Sequence, residues 1–296
     1  MQLNYAKIEA GLPSEVKILH ISDTHFCLAD ERDCRKKRDM AEKRTQYHLD
    51  IASKPLPSVE AERERVENTL DELLQYGFSH CDQVVHTGDF YDIVTEANID
   101  MLASKLSDGR VLYTPGSHEF TQYLYERFDE NDEYKALSLD KVRHASPNPL
   151  EFAVKWVKGL RLIALDNSFY KFNARQFEAL KNELAERMAP TLLLMHTPLY
   201  CPAVFHEWHD VRKKNPADII GLPKSVLNGL DMAVPSCQLP NEVTLMLCDF
   251  IRSQPQIKGI LAGHLHFFWQ GEFAPGQTQI LTGLGNDGCA VEVTVK

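Results

Sequence analysis

Short, almost uninterrupted apolar runs recur along this chain, and helical patterns fill the spaces between them. The runs are VKILHIS (16–22), QVVHT (83–87), RVLYTP (110–115), LRLIALD (160–166), TLLLMH (191–196) and IKGILAG (257–263). Strands this apolar are buried on both faces, and strands alternating with helices imply a largely parallel sheet wound with crossovers, an α/β fold. Ser58 caps a helix running through Tyr76, with Val59, Val66, Leu70, Leu73 and Leu74 on one face and Gly77 as the stop. Asn173 and Gln176 open another, with Phe177, Leu180, Leu184 and Met188 on one stripe ending before Pro190; a third spans about 240–253. HFFWQGEF, TQILTG and CAVEVTV in the tail read as antiparallel strands closing a second sheet.

Polar clusters follow these runs: DTH (23–25), GDFYD (88–92), GSHE (116–119), His196 after LLLM, and GHLH (263–266). In open α/β sheets, ligand sites gather at the carboxyl ends of the strands, so the clusters are expected to converge. Asp23, His25, Asp89, His196, His264 and His266 mix carboxylates with imidazoles. That mixture suits Mn, Fe, Zn, Ni or Co better than the all-oxygen shells of Ca or Mg, and it exceeds what one ion needs. Two ions roughly 3.5–4 Å apart clamp a phosphoryl group during in-line displacement, so phosphoester hydrolysis is the matching chemistry. Gly88, Gly116 and Gly263 stand where the backbone must turn sharply after a strand.

In this order, DxH, GDxxD, GxHE, a lone His after an apolar strand and GHxH resemble the calcineurin-like metallophosphoesterase superfamily, from about Ile18 to the last strand. The resemblance implies a four-layer αββα sandwich of two mixed β-sheets flanked by helices. It implies that Asp23, His25 and His266 bind one metal, His196 and His264 the second, and that Asp89 bridges them. His118, oriented by Asp92, would protonate the leaving oxygen, with a metal-bridging hydroxide as nucleophile. Ser117 departs from the family pattern, which has a metal-ligating Asn there. A serine oxygen falls on the order of 1 Å short where ligand distances vary by only about 0.2 Å, which implies a weaker second site. Ile93 follows GDFYD where protein Ser/Thr phosphatases carry a phosphate-gripping Arg, which disfavours a phosphoprotein substrate. The resemblance therefore points to a small phosphodiester or phosphomonoester. The alternatives are a nuclease of the double-strand-break-repair exonuclease type and a catalytically weak scaffold.

Bulk properties narrow the field. A chain of 296 residues suits one large domain, 1–296, and its formal net charge of -10 disfavours nucleic acid as partner. Arg35 to Arg38, Lys43 and Arg44 alternate with acidic residues, as on a solvated helix face. Seven scattered cysteines, Cys237 among them, form no CxxC pair and read as reduced thiols. No signal-like start or membrane-length apolar run is visible, so a cytoplasmic location is expected. Residues 27–57 and 200–240 are long for connections and read as insertions that select substrate. His206 and His209 in the second are candidate substrate contacts, weighed evenly against an exposed polar loop. His20 and His86, inside strand runs, read as core histidines.

Overall fold

The computed structural model describes residues 1–51, 56–107, 109–124, 131–230, 234 and 238–296; Cys237 lies outside them. The strands are β1 (Gln2–Ile8), β2 (Val16–Ile21), β3 (Gln83–His86), β4 (Val111–Tyr113), β5 (Phe152–Val157), β6 (Leu160–Leu165), β7 (Thr191–Leu194), β8 (Ile257–Ala262), β9 (Trp269–Ala274), β10 (Gln277–Leu281) and β11 (Cys289–Val295). The helices are α1 (Arg35–Ile51), α2 (Val59–His80), α3 (Glu96–Leu106), α4 (Asp132–Ala136), α5 (Leu139–Ala145), α6 (Ala174–Glu186), α7 (Pro202–Phe205), α8 (Lys224–Leu227) and α9 (Glu242–Ser253).

Two sheets form, a five-stranded one in the order β1-β11-β2-β3-β4 and a six-stranded one in the order β5-β6-β7-β8-β10-β9. Both are mixed: β2, β3 and β4 are mutually parallel, as are β6, β7, β8 and β10, while β11 runs antiparallel to β2 and β5 and β9 antiparallel to their neighbours. Ile18, Val85, Leu112 and Val293 of the first sheet share one core with Leu162, Leu192, Leu194 and Leu261 of the second, so the sheets pack face to face. On the outer faces, α2, α3 and α5 cover the first sheet, and α6 and α9 cover the second. This is the expected four-layer sandwich. Every strand that ends in a chemical motif is one of the parallel ones, which brings the motif loops to one edge.

Several sequence expectations change. The tail does not close one sheet: β9 and β10 join the second, but β11 crosses into the first and pairs parallel with β1 and antiparallel with β2. Helix α2 runs through Gly77 to His80. Gly77 is there for clearance, because a Cβ would lie 2.5 Å from Val84 Cγ2 and 2.9 Å from Leu19 Cδ2. The Asn173–Gln176 capping box opens α6 as expected, but α6 ends at Glu186 and leaves Met188 exposed. Within the first insertion, Arg35–Ile51 form α1. The second holds α7, a π-helical turn (His206–Val211), a 3-10 turn (Pro216–Asp218) and α8, tied to the body by the Leu199–Ile220 bridge and buried Trp208.

Candidate metal centre

Backbone conformation marks the site before any side chain is considered. Asp23, His25, Asp89, His264 and His266 all hold left-handed φ, at 56°, 48°, 50°, 70° and 61°. For residues with a Cβ that costs roughly 1–2 kcal/mol each, and such strain persists only where the surroundings over-determine it. The surroundings do so here. Asp23 N–H donates to the Gly88 carbonyl (3.0 Å), His25 N–H to the Asp89 carbonyl (3.1 Å), and His264 N–H reaches across the sheets to both Asp23 oxygens (3.2 and 3.0 Å). Glu119, fully buried, accepts from Asp89 N (3.0 Å), Phe90 N (2.6 Å) and Gly116 N (2.6 Å), fastening the GSHE loop to the GDFYD loop.

Of the three motif glycines, only Gly88 turns the chain with positive φ (89°). Gly116 and Gly263 serve close approach instead. A Cβ on Gly116 would sit 2.2 Å from Asp89 Oδ1, and one on Gly263 would sit 1.9 Å from Ser22 Oγ and 2.4 Å from Asp23 Oδ2.

Potential ligand atoms converge in two adjoining groups, Asp23–His25–His266 and Asp89–His196–His264; Asp89 also groups with His25 and His118, so its carboxylate touches both sides. In the first, His266 Nε2 lies 3.3 Å from Asp23 Oδ1 and 3.2 Å from His25 Nε2. In the second, His196 Nε2 lies 3.1 Å from Asp89 Oδ2 and 3.2 Å from His264 Nδ1. Hydrogen bonds fix two tautomers, since carbonyls and carboxylates only accept: His25 donates Nδ1–H to Asp92 Oδ1 (2.7 Å), and His196 donates Nδ1–H to the Thr87 carbonyl (2.7 Å). Their Nε2 atoms therefore point into the cluster of other potential ligand atoms, where a metal ion could take the place of a shared proton.

Electrostatics agree. Burial raises Asp23 and Asp89, but the imidazoles around them, led by His266 at Asp23 and His196 at Asp89, hold both below the ordinary carboxylate range. Burial opposes a charge on His196 too, yet Asp89 and Asp23 push it up to about 10, whereas burial holds His264 down at about 3. Two carboxylates and four imidazoles whose donor atoms converge in this way are a set that fits a metal pair.

His118 projects at this centre with Nε2 3.9 Å from Asp89 Oδ2. The expected orientation by the Asp92 carboxylate is corrected in part: His118 donates Nδ1–H to the Asp92 main-chain carbonyl (2.8 Å), and the carboxylate, 3.6 Å away at Oδ1, holds His25 instead. Ser117 opens a 3-10 turn, where its carbonyl accepts from Phe120 N (3.1 Å) and its hydroxyl makes no cap bond. His206 pairs with Asp210 (2.9 Å) within its own turn and is 68% exposed, and His209 meets the Lys214 carbonyl (3.2 Å); among the described residues neither joins a ligand group.

Residues 16–268 match the family model described as calcineurin-like phosphoesterase. The chain belongs to this family. A search of curated proteins finds no match. Among solved structures, a purple acid phosphatase from yellow lupin (Lupinus luteus) aligns at 13% identity over 94% of this chain and 45% of its own, with a TM-score of 0.50, a likeness of fold. A dimetal phosphatase from Danio rerio aligns at 13% identity over 91% and 88%, TM-score 0.47. A phosphopantetheinyl hydrolase from Mycobacterium tuberculosis aligns at 12% over 92% and 90%, TM-score 0.42.

Four contributors to this calcineurin-like site carry no role in the motif reading. Glu119 stands inside GSHE, where its acceptors are needed by backbone rather than by a ligand. Asn167 is fully buried and accepts from His196 N (3.0 Å) and Thr197 N (3.1 Å), a partnership signalled only by its place after β6. Tyr170, at φ 59°, brings its Oη 3.5 Å from His264 Nε2 with no local signal. Arg44 departs from the solvated-face expectation: it is 20% exposed and donates Nε–H to Asp92 Oδ2 (2.6 Å). His20 and His86 are fully buried, and burial pushes both down to about 3, so they are neutral; His86 packs beside Thr24 and Phe90 next to the site.

Proposed function

We propose that this protein is a binuclear metal-dependent phosphoesterase acting on a small phosphodiester or phosphomonoester. The observation that carries the reading is the strained, left-handed backbone at Asp23, His25, Asp89, His264 and His266, with the Nε2 atoms of His25 and His196 directed inward. Asp23, His25 and His266 would hold one ion, and His196 and His264 the other, with Asp89 between them. Ser117 would leave the second weaker. Mn, Fe or Zn fits the donor set; when bound, such a pair supplies Lewis-acid polarisation of the phosphoryl oxygens and acidifies water.

The protein's own part is positional and protolytic. Asp92 fixes His118 with Nδ1 protonated, so Nε2 is the atom that delivers a proton to the leaving oxygen. Burial works against the imidazolium, but Asp89 and Asp92 raise the His118 pKa overall, so the acid form is available near neutrality. Ile93, buried after GDFYD, offers no guanidinium for a phosphoprotein, which supports a small substrate. His206 and His209 remain candidate substrate contacts from the second insertion. One domain over 1–296 is inferred from a shared core drawing on residues from Ala6 to Val295. Free cysteines at the six described positions support a cytoplasmic setting, and no described helix is long and apolar enough to cross a membrane.

The test is hydrolysis of bis(p-nitrophenyl) phosphate beside p-nitrophenyl phosphate by chelator-stripped protein as Mn²⁺ is restored. Turnover that rises with Mn²⁺ is expected. No turnover of either ester at full loading would favour the scaffold alternative, for which Ser117 is the supporting feature.

A further inference from the structure

We propose that Arg44, carried on the inserted helix α1, is a positioning residue for the first metal site, acting through Asp92 on His25. The inference rests on the metal-site reading above. Asp92 is fully buried, and its two carboxylate oxygens meet different partners. Oδ1 accepts His25 Nδ1–H at 2.7 Å, and Oδ2 accepts Arg44 Nε–H at 2.6 Å and the Cys27 thiol at 3.1 Å, while His48 Nε2 stands off at 3.7 Å. The main-chain carbonyl of the same residue holds His118. One carboxylate clamped from outside therefore fixes the ring of a metal-ligand candidate, and its backbone fixes the acid.

Helix α1 is itself anchored for this task. Ala41 and Thr45 are buried under it, with Thr45 Oγ1 3.3 Å from the Cys27 carbonyl. Lys37 Nζ donates to the Val94 carbonyl (2.5 Å), and Lys36 lies 3.9 Å over the Tyr123 ring. These contacts tie the helix to the segments that follow His25, Asp92 and His118. Arginine suits the role because its fork stays charged at any working pH and donates along a fixed direction.

Two effects of removing Arg44 have opposite signs, which makes the proposal testable. A cation near a metal site repels the ion, so charge removal alone tightens metal binding. Loss of the clamp frees Asp92 and His25 to reorient, which weakens it; outer-shell partners of this kind typically change affinity about 10–100-fold.

The experiment is calorimetric titration of Mn²⁺ into chelator-stripped wild type, Arg44→Gln, Arg44→Lys and Lys43→Gln, with melting curves of the metal-free proteins. The first-site event is identified by its loss in His266→Ala. Arg44→Gln is expected to weaken that event about tenfold or more with a metal-free melting temperature close to wild type, Arg44→Lys to recover part of the loss, and Lys43→Gln, on the exposed side, to change nothing. Equal or tighter binding by Arg44→Gln overturns the proposal, as does an equal loss in Lys43→Gln. Should Arg44→Gln not fold, Arg44→Lys decides: wild-type affinity overturns the proposal and a partial loss supports it. Absence of Mn²⁺ binding by the wild type would overturn the metal-site reading and this inference with it, whereas an insensitive Arg44→Gln overturns this inference alone.

Discussion

Gly263 has no room for a side chain, because its Cα faces Ser22 Oγ and Asp23 Oδ2 across the junction of the two sheets. Gly263→Ala should therefore push β8 away from Asp23 and break the His264 N–H contacts to that carboxylate; Mn²⁺ affinity measured by calorimetry should fall at least as far as for a lost outer-shell partner, about tenfold. The ligands and the proposed acid should separate when metal content and turnover are measured together. Asp89 touches both ligand groups, so Asp89→Ala should lose metal, read by elemental analysis. On the proposed reading His118 is the proton donor and not a ligand, so His118→Ala should keep its metal and lose turnover by about 10²–10⁴-fold, the usual worth of a positioned acid. Full activity of His118→Ala toward a poorly activated ester would remove the general-acid assignment.

Elements formed where local signals and tertiary demands agreed. Asn173 caps α6 reciprocally with Gln176, so Asn173→Ala should cost about 1 kcal/mol in urea unfolding while leaving Mn²⁺ affinity unchanged. Buried strands such as LRLIAL and TLLL, and the motif loops behind them, were legible because a doubly covered strand is apolar throughout and its polar end is local. Two edge strands, β1 and β5, were not, although the other two, β4 and β9, were. β1 alternates exposed and buried residues from Tyr5 to Ile8, β5 is half-buried along most of its length with Trp156 exposed, and neither shows a continuous run. The destination of β11 was hidden for another reason: its partners β1 and β2 lie near the other end of the chain, and nothing in CAVEVTV distinguishes one sheet from the other. Arg44 shows the same limit on a helix, since a basic residue on a charged helix reads as solvated until its partner Asp92, 48 residues away, is placed beneath it.

At the scale of the whole molecule, the sandwich buries titratable groups that respond to pH together. Burial lowers His20 from 6.5 to about 3, so the folded state stays neutral there while the unfolded chain takes up a proton below 6.5. The stability that this group contributes is complete above pH 6.5 and is lost progressively as pH falls toward 3, by about 1.4 kcal/mol per pH unit. His20→Gln should flatten the acid limb of the metal-free protein's stability curve by close to one proton; an unchanged slope would show that the unfolded chain shields this histidine. The central claim is that the sandwich edge joins two ligand groups into one binuclear centre, and metal stoichiometry tests it most directly. Mn²⁺ titrated into chelator-stripped protein should bind in two unequal events, the weaker strengthened by Ser117→Asn. A single event, or none, would contradict the account.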